Sequence, residues 1–418
     1  MSPTKIRVAI CGGGIGGLTL AVALSKNPNV QVDVYEAAGQ FKEIGAGVML
    51  WDRTWKMLDK LGLSKDLAEV AHDQPNGKQG IGFHYRRSDT ECEGFTFEVF
   101  KARNGCIRFH RAQFLDILVS HLPAGIAHFG KRLVSYQDAS SPDSSLVQLL
   151  FADGSNAACD LLVGCDGIKS TVRKQMYEEA FAEAKGEEKN RLKDLLEPIV
   201  WSGTMAYRIL IPRKTLEALN PEHRTLTQPM MHCGKSKHIV SYPIARGEII
   251  NFVGLNSNFS NEGKPFIGSW VSECTVDEVQ RCYADWEPEV RQLLSCMEKS
   301  SLPPTKWAIH ESKTLPFWTR GRVVLLGDAA HSMTPHQGAG AGQAIEDAYV
   351  LSSLLSTYLG SRSIPEIMEK NLARYPEGYK KLGTSIAAQW DWLKWDEPDE
   401  VLKNEASGKV AEWTPAKL

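Results

Sequence analysis

The stretch RVAICGGGIGGLTLAVALSKNPNVQVDVYE, Arg7 to Glu36, decides the fold. It reads as a strand, a tight glycine turn, a helix and a second strand. The pattern Gly12-x-Gly14-x-x-Gly17 follows the apolar run Val8 to Ile10 directly and opens a helix carrying Leu18, Leu20, Val22 and Leu24. Each glycine has its own role. Gly12 permits the turn, Gly14 lets backbone approach a pyrophosphate, and Gly17 lets helix and sheet pack closely. A helix N-terminus offers N–H groups and the positive end of a dipole, so a phosphate binds there without a lysine. Val30 to Tyr35 forms the second strand and ends at Glu36, an acid about 20 residues past the glycines, where a ribose hydroxyl needs an acceptor. A dinucleotide is expected here, with NAD and FAD both open.

The chain has 418 residues, 43% hydrophobic and 23% charged, which suits a globular protein of two or three packed units. A formal net charge of -2 and the lack of long basic runs argue against nucleic acid or an anionic membrane as the main partner. Small molecules are the expected partners. Nine cysteines are scattered without metal-site spacing, so neither zinc nor a disulfide framework is implied, and the usage fits a reducing compartment. The first strand begins by Arg7, leaving no room for a signal peptide, and no apolar run approaches the ~20 residues that span a bilayer. The expected location is the cytoplasm, with no stable membrane insertion.

Beyond Glu36, Gly45-Ala46-Gly47 breaks the chain before a helix bearing Trp55, Leu58 and Leu61. Small residues at Ala46 and Gly47 would let a flat ligand lie against the main chain. Two strand-like runs, GIGFHYRR and FTFEVF, then suit a hairpin laid over a ligand, with Arg86 and Arg87 read as solvated. A helix follows over Phe109 to Leu122. Arg111 in its first turn opposes the helix dipole, so it is expected to answer an external anion.

Three further strand candidates end in CDLLVGCDG, where an apolar strand runs into Asp166-Gly167 before a new helix. Glu178 to Glu197 reads as a charged, solvated helical excursion. Trp201 to Leu255 alternates in the manner of a separate antiparallel sheet. The chain returns to a buried strand at Val323 to Leu326, closed by Gly327-Asp328, and Gly338-Ala339-Gly340-Ala341-Gly342 opens a long helix, a second nest of backbone N–H groups.

Three separated segments thus share one geometry. GGGIGGL with Glu36, CDGIKSTVR and GDAAHSMTPHQGAGAGQAIEDA together resemble the single-component FAD-dependent aromatic hydroxylases, whose motifs are GxGxxG, DG and GD. The wording MTPHQGAGAGQ, the segment HLPAGIAHFGKR and the IGAGV turn are most similar to salicylate hydroxylases. The resemblance implies an α/β fold: a Rossmann-like FAD-binding domain with a parallel sheet, a mainly antiparallel substrate sheet, and C-terminal helices. The division expected is a discontinuous FAD-binding domain (1–76, 104–177 and 300–360), a substrate domain (77–103 and 198–299), the charged excursion (178–197) and a C-terminal segment (361–418).

Residue by residue, the resemblance places the ADP half of FAD on Gly12, Gly14 and Gly17, with Glu36 on the ribose. Arg111 falls near the pyrophosphate, Asp328 on the ribityl or pyrophosphate region, and Asp166 serves both flavin and pyridine nucleotide. Gly338, Gly340 and Ala341 open the helix that points at the flavin, and Pro335 and His336 lie against its face. The implied chemistry is reduction of FAD by NADH or NADPH, reaction with O2 to a C4a-hydroperoxide, and attack of its distal oxygen on an electron-rich ring. The reductant visits transiently, since no second GxGxxG exists.

Substrate contacts are expected from the β-rich insert: Arg208, His238 and Tyr242, with His336 beside the flavin. Imidazole titrates near neutrality, which makes His238 the candidate phenol base, the other reading being a hydrogen-bonded sheet histidine. Arg208 is either a carboxylate or phenolate anchor or a structural ion pair. The expected activity is hydroxylation of a phenolic acid, with or without loss of carbon dioxide. Hydroxylation of 4-hydroxybenzoate or vanillate, dearomatisation of a larger phenol, and a flavin reductase or redox sensor that never hydroxylates stay open, as does a monomer or a homodimer. Cys165 stands where the family more often has alanine, and the Lys381–Trp390 segment looks short.

Overall fold

The computed structural model describes residues 5–41, 47–138 and 146–368. Two sheets organise them. One has six strands in the order Thr319–Arg320, Val323–Leu325, Leu161–Gly164, Ile6–Cys11, Val30–Tyr35 and Ala127–His128. All its pairings are parallel except that of Thr319–Arg320 with Val323–Leu325. Both faces are covered, as parallel strands require: Val8 and Ile10 pack in one core cluster, Ala9 and Cys11 in another. The helix Ile15–Ser25 is buried almost throughout, because the Gly340–Tyr358 helix packs on its outer side.

Register brings the three sequence motifs together. Cys11 pairs with Gly164 on one side and Tyr35 on the other, and Gly164 pairs with Leu325. Three strands therefore end in one row, and the residues just beyond them, Gly12, Asp166 and Asp328, emerge at the carboxyl edge, where open α/β sheets bind ligands.

The second sheet has eight strands: Val271–Glu273, Thr305–Ser312, Ile199–Pro212, Ile249–Ser257, Lys237–Ile244, Met230–Gly234, Gln79–Arg87 and Phe95–Arg103. It is antiparallel except where Met230–Gly234 runs beside Gln79–Arg87. Thr305–Ser312 corrects the expected division. Residues 305–312 belong to this sheet, pairing with Ile199–Pro212 over a long register, and the chain returns to the flavin-type sheet only after them. The charged excursion is likewise no separate piece: the helix Thr171–Glu183 crosses residue 178, and Ala180, Ala184 and Leu192 are buried in the core.

Alternation divides this sheet cleanly. Tyr207, Ile209 and Ile211, with Ile239, Ile250 and Phe252, pack outward against Val279, Val290 and Leu293 of the two helices Val276–Cys282 and Pro288–Ser295. Residues of the opposite parity face the flavin-type domain.

Arg86 is a correction. It is not solvated but buried, and its guanidinium binds both oxygens of the buried Glu287 at 2.8–3.1 Å. Glu287 also accepts from Ser88 Oγ at 2.6 Å and Gly94 N at 2.8 Å. Burial pushes this carboxyl up, but hydrogen bonds from His232, Arg86, Ser88 and Gly94 outweigh it and hold it well below the usual range. The cluster ties the Gln79–Arg87 and Phe95–Arg103 hairpin to the Pro288–Ser295 helix. Arg86→Ala leaves a buried carboxylate uncompensated, and a loss of about 3–5 kcal/mol is expected in urea unfolding; a loss below about 1 kcal/mol would contradict this pairing. Arg87 is partly exposed and pairs with Asp89, close to the solvated reading.

Candidate active site

The glycine turn is built as its spacing requires. Gly12 has φ +111, and a methyl there would lie 2.1 Å from Cys165 O; one on Gly17 would lie 2.1 Å from Gly12 O. Around Gly14 there is open space, with nothing within 4 Å of an added methyl, at the start of the Ile15–Ser25 helix. Glu36 Oε2 accepts from Gly13 N and Oε1 from Ala38 N, both at 2.7 Å, which fixes the carboxylate beside the turn.

Asp166 is drawn into its own helix. Its Oδ1 accepts from Ser170 Oγ, and its Oδ2 from Thr171 N at 2.7 Å and Val172 N at 3.1 Å. Burial nonetheless pushes its carboxyl up. Arg173, which the sequence reading gave no role, braces the DG and GD segments together, donating to the carbonyls of Ile168 and Ala329. Asp328 is exposed at the strand end. The loop behind it is anchored by Asp347, whose Oδ2 accepts from Gly327 N at 2.9 Å and contacts His331 Nε2 at 2.6 Å. Burial works against a charged His331, but the charge and hydrogen bond of Asp347 outweigh it and raise its pKa.

Pro335–Gln337 forms a single tight turn, Gly338 takes φ +59, and the Gly340–Tyr358 helix begins. Gly338 presses on Met49: a methyl there would meet Met49 Cε at 2.1 Å. Gly340, like Gly14, faces open space. Arg111 begins the Arg111–Ser120 helix. Ala46 lies outside the described residues, as does the Lys381–Trp390 segment.

The inner face of the eight-stranded sheet carries all three sheet candidates. His238 pairs with Leu255, Val240 with Val253 and Tyr242 with Asn251, while Arg208 pairs with Val253 from the other side. Directly paired residues share a face, so His238, Tyr242, Arg208 and Asn251 all point toward the flavin-type domain. The decisive contact joins the two domains: His336 Nδ1 lies 3.3 Å from His238 Nε2, with ring centroids 5.1 Å apart. His238 is only 2% exposed, and burial, helped by His336, lowers its pKa well below that of free imidazole. Burial brings His336 to about 4.

Tyr242 is buried, its Oη 2.6 Å from where a methyl on Gly47 would be, and Gly47 N donates to Asn251 Oδ1 at 2.9 Å. Burial raises the Tyr242 phenol, with the charges of Arg208 and Arg108 acting in the opposite sense. The Arg208 guanidinium stands 5.0 Å from the Trp307 ring centroid, a cation–π contact. Met49, Phe83, Cys106, Met231 and Ile244 complete an apolar lining around Tyr242.

Folding holds His336 neutral, while the unfolded ring has its ordinary pKa of 6.5. A depressed folded pKa means that the unfolded chain binds the extra proton, so stability is lost as pH falls from about 6.5 toward 4. His336→Gln is expected to flatten the fall in urea midpoint across this window relative to the parent chain; parallel profiles would contradict a neutral ring.

The arrangement suits a long dinucleotide. Two open glycine positions, Gly14 and Gly340, each stand at a helix start, and an exposed Asp328 lies at the strand row between the motifs. The chain matches the family described as FAD binding domain over residues 5–232 and 282–371, and it belongs to the FAD-binding monooxygenases. It is 39% identical to a salicylate hydroxylase of Pseudomonas putida, the match covering 87% of this chain and 80% of that one. A 6-methylsalicylate 1-monooxygenase of Aspergillus terreus is 35% identical over 91% of this chain and 82% of its own. Among solved structures, a salicylate hydroxylase substrate complex superposes with a TM-score of 0.72 at 33% identity, covering 88% of this chain and 83% of that one. The protein is an FAD-dependent aromatic monooxygenase of the salicylate hydroxylase type of fold, and NADH or NADPH is the reductant that this family implies. Among the described residues no helix is long and apolar enough to cross a membrane, and no cluster could hold a metal ion.

Proposed function

We propose that the chain hydroxylates a phenolic aromatic acid, with or without loss of carbon dioxide, salicylate to catechol being the model case. The single observation that carries this reading is the contact between His238 and His336, which joins the substrate sheet to the glycine-rich loop of the flavin-type domain. FAD, once reduced by NADH or NADPH, would activate O2, one atom of which goes to the ring and the other to water. Gly12, Gly14, Gly17 and Glu36 would hold its adenosine end, and Arg111 and Asp328 its middle. The loop from Pro335 through Gly338 and Gly340 to Ala341, with Gly47, would hold the flavin ring. Asp166 would fix the start of the Thr171–Glu183 helix beside the cofactor through the three hydrogen bonds its carboxylate accepts.

The histidine pair handles the phenol proton. Both rings are neutral near pH 7, and in either tautomer the shared hydrogen bond leaves one ring as donor and the other as acceptor. A phenolate forming beside the pair favours its protonated form and offsets the desolvation that depresses it. A proton taken up by one ring can then pass through the shared bond to the other. Arg208 adds positive potential on the same face, and the apolar lining around Tyr242 keeps out water that would divert the reaction.

The test is anaerobic. A hydroxybenzoate that fits should accelerate bleaching of the bound flavin by NADH at least tenfold over the same mixture without phenol. Identical rates with every phenol tried would count against a built substrate site.

A further inference from the structure

On the two-stranded sheet of Gly47–Leu50 with Ile107–His110, Arg108 pairs with Met49 and His110 with Gly47. Arg108 therefore lies on the same face as Met49, which touches the Gly338 loop, and is two residues from Cys106, which packs with Met49 and Tyr242. Its side chain is only 4% exposed, and it sits between the buried Ile107 and Phe109 of the strand IRFH. One terminal nitrogen, Nη2, is tied outward to Asp73. The other two, Nε and Nη1, are buried with no hydrogen-bond partner. A buried guanidinium with two unmet donors is costly unless something fills them.

A second unmet donor lies against the same short sheet, at Gly47. Asn251 is buried on the inner face next to Tyr242, its Oδ1 committed to Gly47 N, which fixes the amide orientation and leaves Nδ2 without a partner. Neither group belongs to the flavin-binding row or to the histidine pair. With Nη2 held by Asp73, a guanidinium donor of Arg108 and the amide donor of Asn251 together suit the two oxygens of one carboxylate.

We propose that Arg108, with Asn251, is the anion-recognition corner of this site and takes the carboxylate of an aromatic acid substrate. Arg208, stacked on Trp307, then contributes charge without being the principal anchor. This assignment rests on the hydroxylase reading above and deepens it by naming what selects an acid over a neutral phenol. No bond is made or broken by it.

The test uses the full chain loaded with FAD and reads the flavin difference spectrum at equilibrium. It is titrated with 2-hydroxybenzoate and 4-hydroxybenzoate and with the corresponding amides, which keep the ring and the hydroxyl and lack the charge. The parent chain is expected to bind at least one acid about tenfold or more tightly than its amide. Arg108→Gln and Asn251→Asp should each weaken that acid by about 10- to 100-fold and its amide by less than about threefold. Asn251→Asp keeps the acceptor for Gly47 N, removes the donor and sets a like charge against the acid, so it tests the corner with the arginine intact. Equal weakening of acid and amide in both variants, or unchanged acid binding, would overturn the proposal. A parent chain that hydroxylates phenols without preferring acid to amide would overturn it and leave the hydroxylase reading standing. A parent chain that neither binds nor hydroxylates any of them would remove both.

Discussion

His238→Ala is expected to cut formation of hydroxylated product by about 10²- to 10⁴-fold, the range for removing a positioned proton acceptor, while FAD stays bound. The argument is geometric. His238 is buried in the middle of the inner face, its Nε2 is in hydrogen-bond range of His336, and its low pKa keeps it unprotonated at neutral pH. Removing it should leave NADH oxidation by the flavin running but uncoupled, so that peroxide rises as product falls. His238→Gln, which fills the same space, separates loss of the acceptor from a packing defect. Unchanged rate and coupling at saturating substrate would take His238 out of the mechanism.

Gly14→Glu is expected to give a folded, colourless protein, with FAD affinity lowered by at least about 100-fold. Nothing lies within 4 Å of a Cβ added at this position, so the side chain leaves the backbone without a clash. The new carboxylate, however, would occupy the helix start at which a pyrophosphate is to be bound, and like charges repel there most strongly in a partly desolvated cleft. Gly12→Ala makes the contrasting control. Its methyl would collide with Cys165 O at 2.1 Å in a backbone conformation that disfavours any side chain, so stability itself should fall. A yellow Gly14→Glu protein with normal FAD content would contradict the proposed cofactor path.

Much of this was legible in the sequence because several signals coincide there. Strand, glycine turn, helix and acid within Arg7 to Glu36 leave little freedom, and the later strands ending at Asp166 and Asp328 repeat the pattern. Alternation also exposed the antiparallel sheet and put His238, Tyr242 and Arg208 on it. What the sequence hid depends on contacts between distant segments. Arg86 looked solvated because Glu287, which buries it, is 201 positions away. Thr305–Ser312 gave no sign of which sheet it would join, since either would accept its pattern. Arg173 and Asp347 were visible only as members of quoted motifs, and their bracing role needs the fold. Arg108 and Asn251 did leave a trace: each is a polar residue flanked by apolar ones, in IRFH and IINFVG, and such a residue requires a partner that its neighbours cannot provide.

The most direct test of the account combines the full chain with FAD, NADH, O2 and a panel of mono- and dihydroxybenzoates, measuring NADH consumed, hydroxylated product, carbon dioxide and peroxide together. The account predicts at least one phenolic acid for which product approaches the NADH consumed and peroxide is minor. NADH oxidation that yields peroxide alone with every member of the panel would contradict it.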